Sequence, residues 1–252
     1  MTSKRVGLVT VTQLDTDLPW VLALMAYCDA LLVVAKSPAL VAQLADQLAL
    51  DHNAPRGQSD TAGRSCTIEF VQADLERTEG QGRLTDLIRQ RGPLYCALNL
   101  CGHAPDGSPA VGAVTTALAK VPSAQGDALK STFIDAAMDA VLASVRRDID
   151  ATLLLSQAVL AGMKQTGLGV LLPVWVEAPM GSHLAPLNDA AAQFVERFSI
   201  GLGEQLGERY PNIKIQYLRW ASHPAAGAAR VSFKAPETLI REVFDTAFLA
   251  RQ

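Results

Sequence analysis

Short runs of consecutive apolar residues alternate along the chain with longer stretches in which apolar positions recur every three or four residues. The first pattern suits a strand buried on both faces, the second an amphipathic helix. The apolar runs predict strands over 6–11, 30–35, 67–71, 94–100, 170–176 and 213–218. The helical periodicity predicts helices over 18–27, 38–50, 76–91, 128–144, 148–165, 187–209 and 236–251. Pro38 stands at a first-turn position, where its missing N–H has no intrahelical bond to lose, and Leu40, Val41, Leu44 and Leu48 follow at helical spacing. Residues 52–64 and 102–126 are rich in Gly, Pro and small polar side chains and read as loops. Strands separated by helices of this length predict a doubly wound parallel sheet with helices on both faces, an αβα sandwich of Rossmann type. No repeat and no linker divides the chain, so residues 1–252 are expected to form one domain.

Composition agrees and removes several function classes. The 49% of hydrophobic residues can fill a sizeable core, and 19% charged residues with a net charge of −3 is far from the composition of a disordered chain. No basic stripe is present, which argues against nucleic acid as a partner. The apolar runs are shorter than the roughly 18 residues of a membrane span. Residues 1–5 run directly into the first strand without an apolar leader. Cys28, Cys66, Cys96 and Cys101 have no C-x-x-C spacing and fit a reducing cytoplasm better than a disulfide frame or zinc site. His52, His103, His183 and His223 fall on four separate loops, so no metal site is expected.

Several segments carry a resemblance when taken in order. They are Val6-Gly7-Leu8-Val9-Thr10, Ala30 to Ser37, Gln72-Ala73-Asp74-Leu75, Asn99-Leu100-Cys101-Gly102, Asp148 to Lys164 and Phe198 to Gly207. With these pieces the chain resembles the short-chain dehydrogenase/reductase (SDR) family over nearly its whole length. The resemblance implies a Rossmann-like fold, and Asn99 to Gly102 look like a worn Asn-Asn-Ala-Gly motif. The family's usual seventh strand, with its Asp-Gly-Gly, has no counterpart after residue 236.

The motifs that carry the family's chemistry are replaced. Its glycine-rich turn after the first strand reads Thr10-Val11-Thr12-Gln13-Leu14-Asp15-Thr16-Asp17, so the three glycine positions hold Val11, Asp15 and Asp17. Those glycines let the backbone approach a pyrophosphate. A carboxylate about 4 Å from a phosphate costs about 1–4 kcal/mol per contact, depending on the local dielectric. The aspartates also read as caps on the positive end of the next helix. Either way, dinucleotide binding in the usual pose is expected to be lost, and no cofactor is expected.

Counting back from Glu204-Gln205-Leu206-Gly207 places the family's catalytic Tyr at Asn188 and its Lys at Ala192. The Ser position falls at Trp175 and the Asn position at Asp148. An amide, a methyl group and an indole cannot take the proton-transfer roles of a phenol, an ammonium and a hydroxyl. Asp148 reads as a helix cap or a solvent-facing residue. Tyr210 and Lys214 have the Tyr-x-x-x-Lys spacing, but Pro211 follows the Tyr and the pair straddles a helix–strand junction, so the match reads as coincidence. Ser182, His183 and Glu177 could supply a Ser-His-acid set only without a nucleophile elbow, and they read as surface loop.

These residues predict a pseudoenzyme. In the SDR family two long helices per subunit pair with a partner in a four-helix bundle. Here they would be residues 148–165 and 187–209, with apolar stripes at Leu153, Leu154, Ala158, Val159 and Met163 and at Ala191, Phe194, Val195, Phe198 and Leu202. The expected partner is a catalytic member of the family or a second copy. In kind the chain resembles the non-catalytic subunit of heteromeric members such as the two-subunit hydroxyacyl-CoA dehydrogenase of benzylsuccinate degradation. Two alternatives stay open: a cofactor-independent enzyme derived from the fold, or a small-molecule-binding module using the emptied cleft, with Trp20, Trp175 and Trp220 as walls.

Overall fold

The computed structural model describes residues 4–53, 66–102, 138–177, 185–221 and 234–248. Six parallel strand positions form one sheet in the order β3-β2-β1-β4-β5-β6, where β1 is Val6–Val11, β2 Ala30–Ala35, β3 Thr67–Gln72, β4 Cys96–Cys101, β5 Gly169–Val176 and β6 Ile213–Ile215. The order reverses between β1 and β4, the point where doubly wound sheets open a crevice at the carboxyl ends of their strands. The predicted sixth strand is split. Ile213–Ile215 pairs with Gly169–Leu171, and a further piece, β7 (Leu218–Trp220), pairs with Val174–Val176. Among the described residues no strand lies outside this edge.

Side chains alternate across the sheet because a strand has period two. Val9 and Val11 of β1 join Leu31, Val33 and Ala35 of β2 in one buried cluster, completed by α1 (Leu14–Met25), α2 (Pro38–Asn53) and the C-terminal helix. Leu8, Leu32 and Val34 face the opposite way, toward Leu84 and Ile88 of α3 (Thr78–Arg91) and toward the long helices. Both sheet faces are therefore buried, which is why the strands read as continuous apolar runs. The expected three-layer architecture is the one observed.

The boundaries differ in instructive ways. Helix α1 starts at Leu14, four residues before its predicted start, and carries Pro19 in its interior. Residues 128–137 lie outside the described residues, and the remainder of the two helices predicted over 128–144 and 148–165 is continuous. Helix α4 (Met138–Val145) passes into α5 (Ala151–Thr166) through a five-residue π-helical segment, Arg146–Asp150, whose flanking residues keep right-handed helical angles. The Arg146 carbonyl accepts both the Ala151 N–H and Gln81 Nε2, the latter at 3.1 Å, and the same amide nitrogen also donates to the Leu75 carbonyl at 2.8 Å. Helix α6 is Ala185–Gly207 and the last helix, α7, Pro236–Phe248. His52 and Asn53 continue α2 rather than opening a loop. Among the described residues no helix is long and apolar enough to cross a membrane.

A buried polar thread ties the centre of the sheet to α5. Thr10 Oγ1 donates to Asn99 Oδ1 at 3.0 Å and accepts from the Leu100 N–H at 2.9 Å. Asn99 Nδ2 donates to Thr152 Oγ1 at 2.8 Å, and Thr152 donates to the Asp148 carbonyl at 2.6 Å. Asn99, read from the sequence as part of a worn motif, thus joins β1, β4 and α5. Replacing it leaves Thr10 and Thr152 short of partners in a dry interior, so Asn99→Ala is expected to cost about 1–3 kcal/mol. A drop in the urea midpoint with an unchanged denaturant slope is the expected readout.

Candidate functional site

The crevice at the carboxyl ends of the strands is where this topology places ligands, and here the chain satisfies its own polar groups there. The β1–α1 turn consists of Thr12 and Gln13. Gln13 is extended (φ −136°, ψ 134°), and no non-glycine residue among those described has a positive φ. Val11 ends β1 as a buried strand residue paired with Ala35. Asp17, fully buried, folds back on the turn. One carboxylate oxygen accepts the Thr12 N–H at 2.7 Å and the Gln13 N–H at 3.0 Å, and the other accepts from Thr16 Oγ1 at 2.9 Å. The expectation that Asp15 and Asp17 cap the helix is corrected in detail. The N-cap residue is Gln13, with no side-chain cap bond, Asp15 is exposed in the first turn, and Asp17 reaches back from inside the helix. A turn whose N–H groups point at an anion is a phosphate site when the anion is a ligand. Here the anion is Asp17.

Asp148 is neither a free cap nor solvent-facing, contrary to the sequence reading. It is 1% exposed and lies in the π-helical segment, accepting from the Gly102 N–H at 3.1 Å, Ser144 Oγ at 3.2 Å, and Arg147 Nε and Nη2 at 3.0 and 2.9 Å. Arg147, itself buried, extends its other end toward Glu76 at 3.7 Å, and Glu76 holds Lys36 at 2.9 Å. Lys36, Glu76, Arg147 and Asp148 therefore form a row of alternating charge across the ends of β2, β3 and β4. Lys36, Glu76 and Arg147 border a shallow cleft of about 30 Å³, with Val11, Thr12, Gln13 and Asp74 also in its wall.

Trp175 and Asp148 meet at Gly102, and Ala192 packs in the cluster around the Trp175 indole. Trp175 faces Cys101 across the β4–β5 register and is 1% exposed. Its indole packs with Cys101, Ala191, Ala192 and Val195, with Ile149 and Tyr217 at the margin. Gly102 has φ +84°, and a β-carbon there would come 2.5 Å from Trp175 Cε2 and 2.7 Å from the Val176 carbonyl. An indole thus occupies the space between the ends of β4 and β5 and helix α6. Asn188, one helical turn before Ala192, is buried with its Nδ2 unpaired, and the Tyr217 hydroxyl is buried and unpaired as well. The remaining tryptophans are core residues rather than cleft walls: Trp20 sits edge-on to Trp220 at 5.6 Å within the opposite apolar cluster.

The other sequence candidates separate. Glu177 is paired with Arg219, which also reaches Asp189 at 3.3 Å. Ser182, His183, His103 and His223 lie outside the described residues, as does most of the loop predicted over 102–126, and the His52 side chain is likewise not described. Tyr210 lies beside Lys164, whose ammonium is 5.5 Å from the ring centre, while Lys214 projects from β6. Cys101 donates to the Val174 carbonyl at 3.3 Å. Among the described residues no group of three or more His, Cys, Asp or Glu is placed to hold a metal ion. The Asp17 back-bond and the Lys36–Glu76–Arg147 row were missed in the sequence reading. A lone Asp four residues after Gln13 is the only local signal for the first, and the second joins distant segments.

No family model matches the chain, and no curated protein matches it in sequence. Solved structures do. The bulky-bulky ketone specific alcohol dehydrogenase from Comamonas testosteroni superposes with a TM-score of 0.62 at 17% identity, over 96% of this chain and 84% of that one. The fold is that of the short-chain dehydrogenases. A metagenomic short-chain oxidoreductase in complex with NADP gives 0.60 at 12% identity, covering 96% and 90%. A short-chain dehydrogenase from Sphingobium yanoikuyae in complex with NADPH gives 0.57 at 15% identity, covering 98% and 85%. Such dehydrogenases hold a dinucleotide, and the residues here do not fit one in the fold's usual pose. The N–H groups of the turn that would face the pyrophosphate are taken by the Asp17 carboxylate.

Three outcomes test this geometry. Asp17→Asn removes the charge from two backbone hydrogen bonds and is expected to cost about 1.5–3 kcal/mol, read by urea denaturation at pH 7. Trp175→Ala leaves a large cavity and is expected to cost about 3–5 kcal/mol, whereas Trp175→Phe costs less. The third concerns alkaline pH. Burial pushes the Cys101 thiol and the Tyr217 hydroxyl well up, and the Asp148 charge adds to the effect on Cys101. Burial also pushes the Cys66 thiol up to about 11. The unfolded chain releases these protons first, its thiols near pH 8.5, so stability is intact below that pH and falls above it. The urea midpoint is expected to decline from pH 8.5 upward, less steeply in Cys101→Ala.

Proposed function

We propose that this chain is a non-catalytic member of the short-chain dehydrogenase family, a cytoplasmic subunit that assembles with and supports a catalytically competent dehydrogenase of the same fold. One observation carries the reading: the places where the fold's enzymes bind cofactor and carbonyl are filled by the chain's own groups, Asp17 in the β1–α1 turn and Trp175 beside Ala192. The neighbours in fold are oxidoreductases, two of them solved with NADP or NADPH, so the partner's chemistry is a nicotinamide-dependent redox step. The likeness in kind to the benzylsuccinate-pathway subunit supports a hydroxyacyl-CoA as one substrate class for the partner.

The docking face is the outer surface of α5 and α6. The predicted apolar stripes divide there: Ala158, Val159, Met163, Ala191 and Val195 turn inward, while Leu154 and Phe194 stay exposed. Phe194 is 39% exposed and stacks on Phe198 with ring centres 6.1 Å apart. Exposed aromatic and aliphatic side chains of this kind are the usual anchors of an interface.

The cleft beside Lys36 and Glu76 favours a second reading, a small-molecule-binding module or cofactor-independent enzyme. Titration calorimetry with NAD(H) and NADP(H) separates the two. No binding by the isolated chain, with tight binding by its complex with a dehydrogenase of the same fold, is the expected result. Micromolar binding by the isolated chain would overturn the subunit reading. Phe194→Glu is expected to weaken the complex by about tenfold or more while leaving the melting temperature of the isolated chain unchanged.

A further inference from the structure

At the amino-terminal edge of the sheet, opposite the candidate site, Cys28 and Cys96 bring their Sγ atoms to 3.4 Å. Both residues are 1% exposed. Cys28 precedes β2, Cys96 opens β4, and β1 runs between these two strands with Gly7 opposite Cys96. A β-carbon at Gly7 would come 2.5 Å from Cys28 Sγ and 3.0 Å from Cys96 Sγ, so a glycine at this position of β1 is what leaves room for the two sulfurs. A disulfide needs about 2.05 Å between sulfurs and Cα atoms within about 7 Å, so closing the pair draws the two chain segments together as well as the side chains. We propose that Cys28 and Cys96 are a latent disulfide, a redox-closable staple that joins the start of β2 to the start of β4 across β1.

The oxidant is a hydroperoxide. One thiolate attacks a peroxide oxygen, the O–O bond breaks, and the sulfur leaves as a sulfenic acid while the other oxygen departs as water after taking a proton. The second sulfur then attacks the sulfenic sulfur, the S–O bond breaks, and the hydroxyl leaves with the second thiol's proton as water. Two thiols and one hydrogen peroxide thus give one disulfide and two waters.

The cover over the pair sets the rate. Arg5 pairs with Asp29 at 3.2 Å and lies 5.7 Å from the Tyr95 ring centre. Asp29 also accepts the Arg5 backbone N–H at 2.8 Å. The hydrogen bond with Cys96, together with burial, pushes the Cys28 thiol up; Arg5 works against this and Asp29 with it. Oxidation therefore waits on opening of this edge. Cys66 and Cys101 bond instead to backbone carbonyls, Cys66 to Thr67 and Cys101 to Asn99 and Val174.

The test treats the full chain with hydrogen peroxide, traps remaining thiols with iodoacetamide under denaturing conditions, and maps peptides without reduction. The expected result is one cross-linked peptide joining Cys28 to Cys96, a fall in titratable thiols from four to two, and a rise in melting temperature that dithiothreitol reverses. A disulfide closing so long a loop restricts the unfolded chain, hence the expected sign of the shift. Cys28→Ser and Cys96→Ser are each expected to abolish the link. Full alkylation of both cysteines after peroxide, conversion of either to sulfinic acid without a link, or a link through Cys66 in the unmutated chain would each overturn the proposal.

Discussion

A carboxylate and a guanidinium buried side by side at the carboxyl edge of the sheet constrain much of the structure around them. Removing two charges from water costs several kcal/mol each unless their hydrogen-bonding capacity is used. Asp148 uses its capacity on Gly102, Ser144 and Arg147, and Arg147 also donates to Ser144 and reaches Glu76. This fixes where β4 ends, where the helix widens into its π turn, and where the segment after β3 lies. Gly102 must be a glycine because the chain bends there with a positive φ against Trp175. Of the crevice expected of the topology, the part beside Gly102 is in this way filled by an indole, and Lys36, Glu76 and Arg147 line the shallow cleft that remains.

Much of the fold was legible because a parallel sheet buried on both faces writes itself as apolar runs. Each run from β1 to β5 falls within two residues of its predicted place. The mistakes occurred where tertiary contacts override local pattern. Helix α1 begins at Leu14 rather than Leu18, and Asp17 anchors that early turn by reaching back to Thr12 and Gln13. The π-helical segment was invisible because its extra residue per turn is supported by Gln81, sixty-five positions away. The edge strand read as one run since the interruption at Gln216 and Tyr217 changes pairing and not hydropathy.

The candidate site was legible as a set of substitutions and not as an arrangement. Counting along the chain identified Asn188, Ala192, Trp175 and Asp148; Trp175 and Asp148 do meet at one glycine, with Ala192 in the cluster around the indole. Their chemistry was another matter. That Asp148 would be buried and paired could not be read from an acidic residue next to an arginine, since the same dipeptide is commonly exposed. Nor could spacing reveal the Cys28–Cys96 contact, which depends on strand order placing β1 between two segments far apart in sequence.

The divided edge strand has a consequence for how molecules with this fold meet. An unbroken outer strand presents a ladder of free backbone groups on which another chain can build. Here β6 and β7 are three residues each, separated by Gln216 and Tyr217, and the chain places Lys214 in one piece and Arg219 in the other. Continuing the sheet into a neighbour would require a register that neither piece is long enough to define. This margin therefore disfavours templated growth, and association there falls to side-chain surfaces, which can be matched to one partner and refused to others.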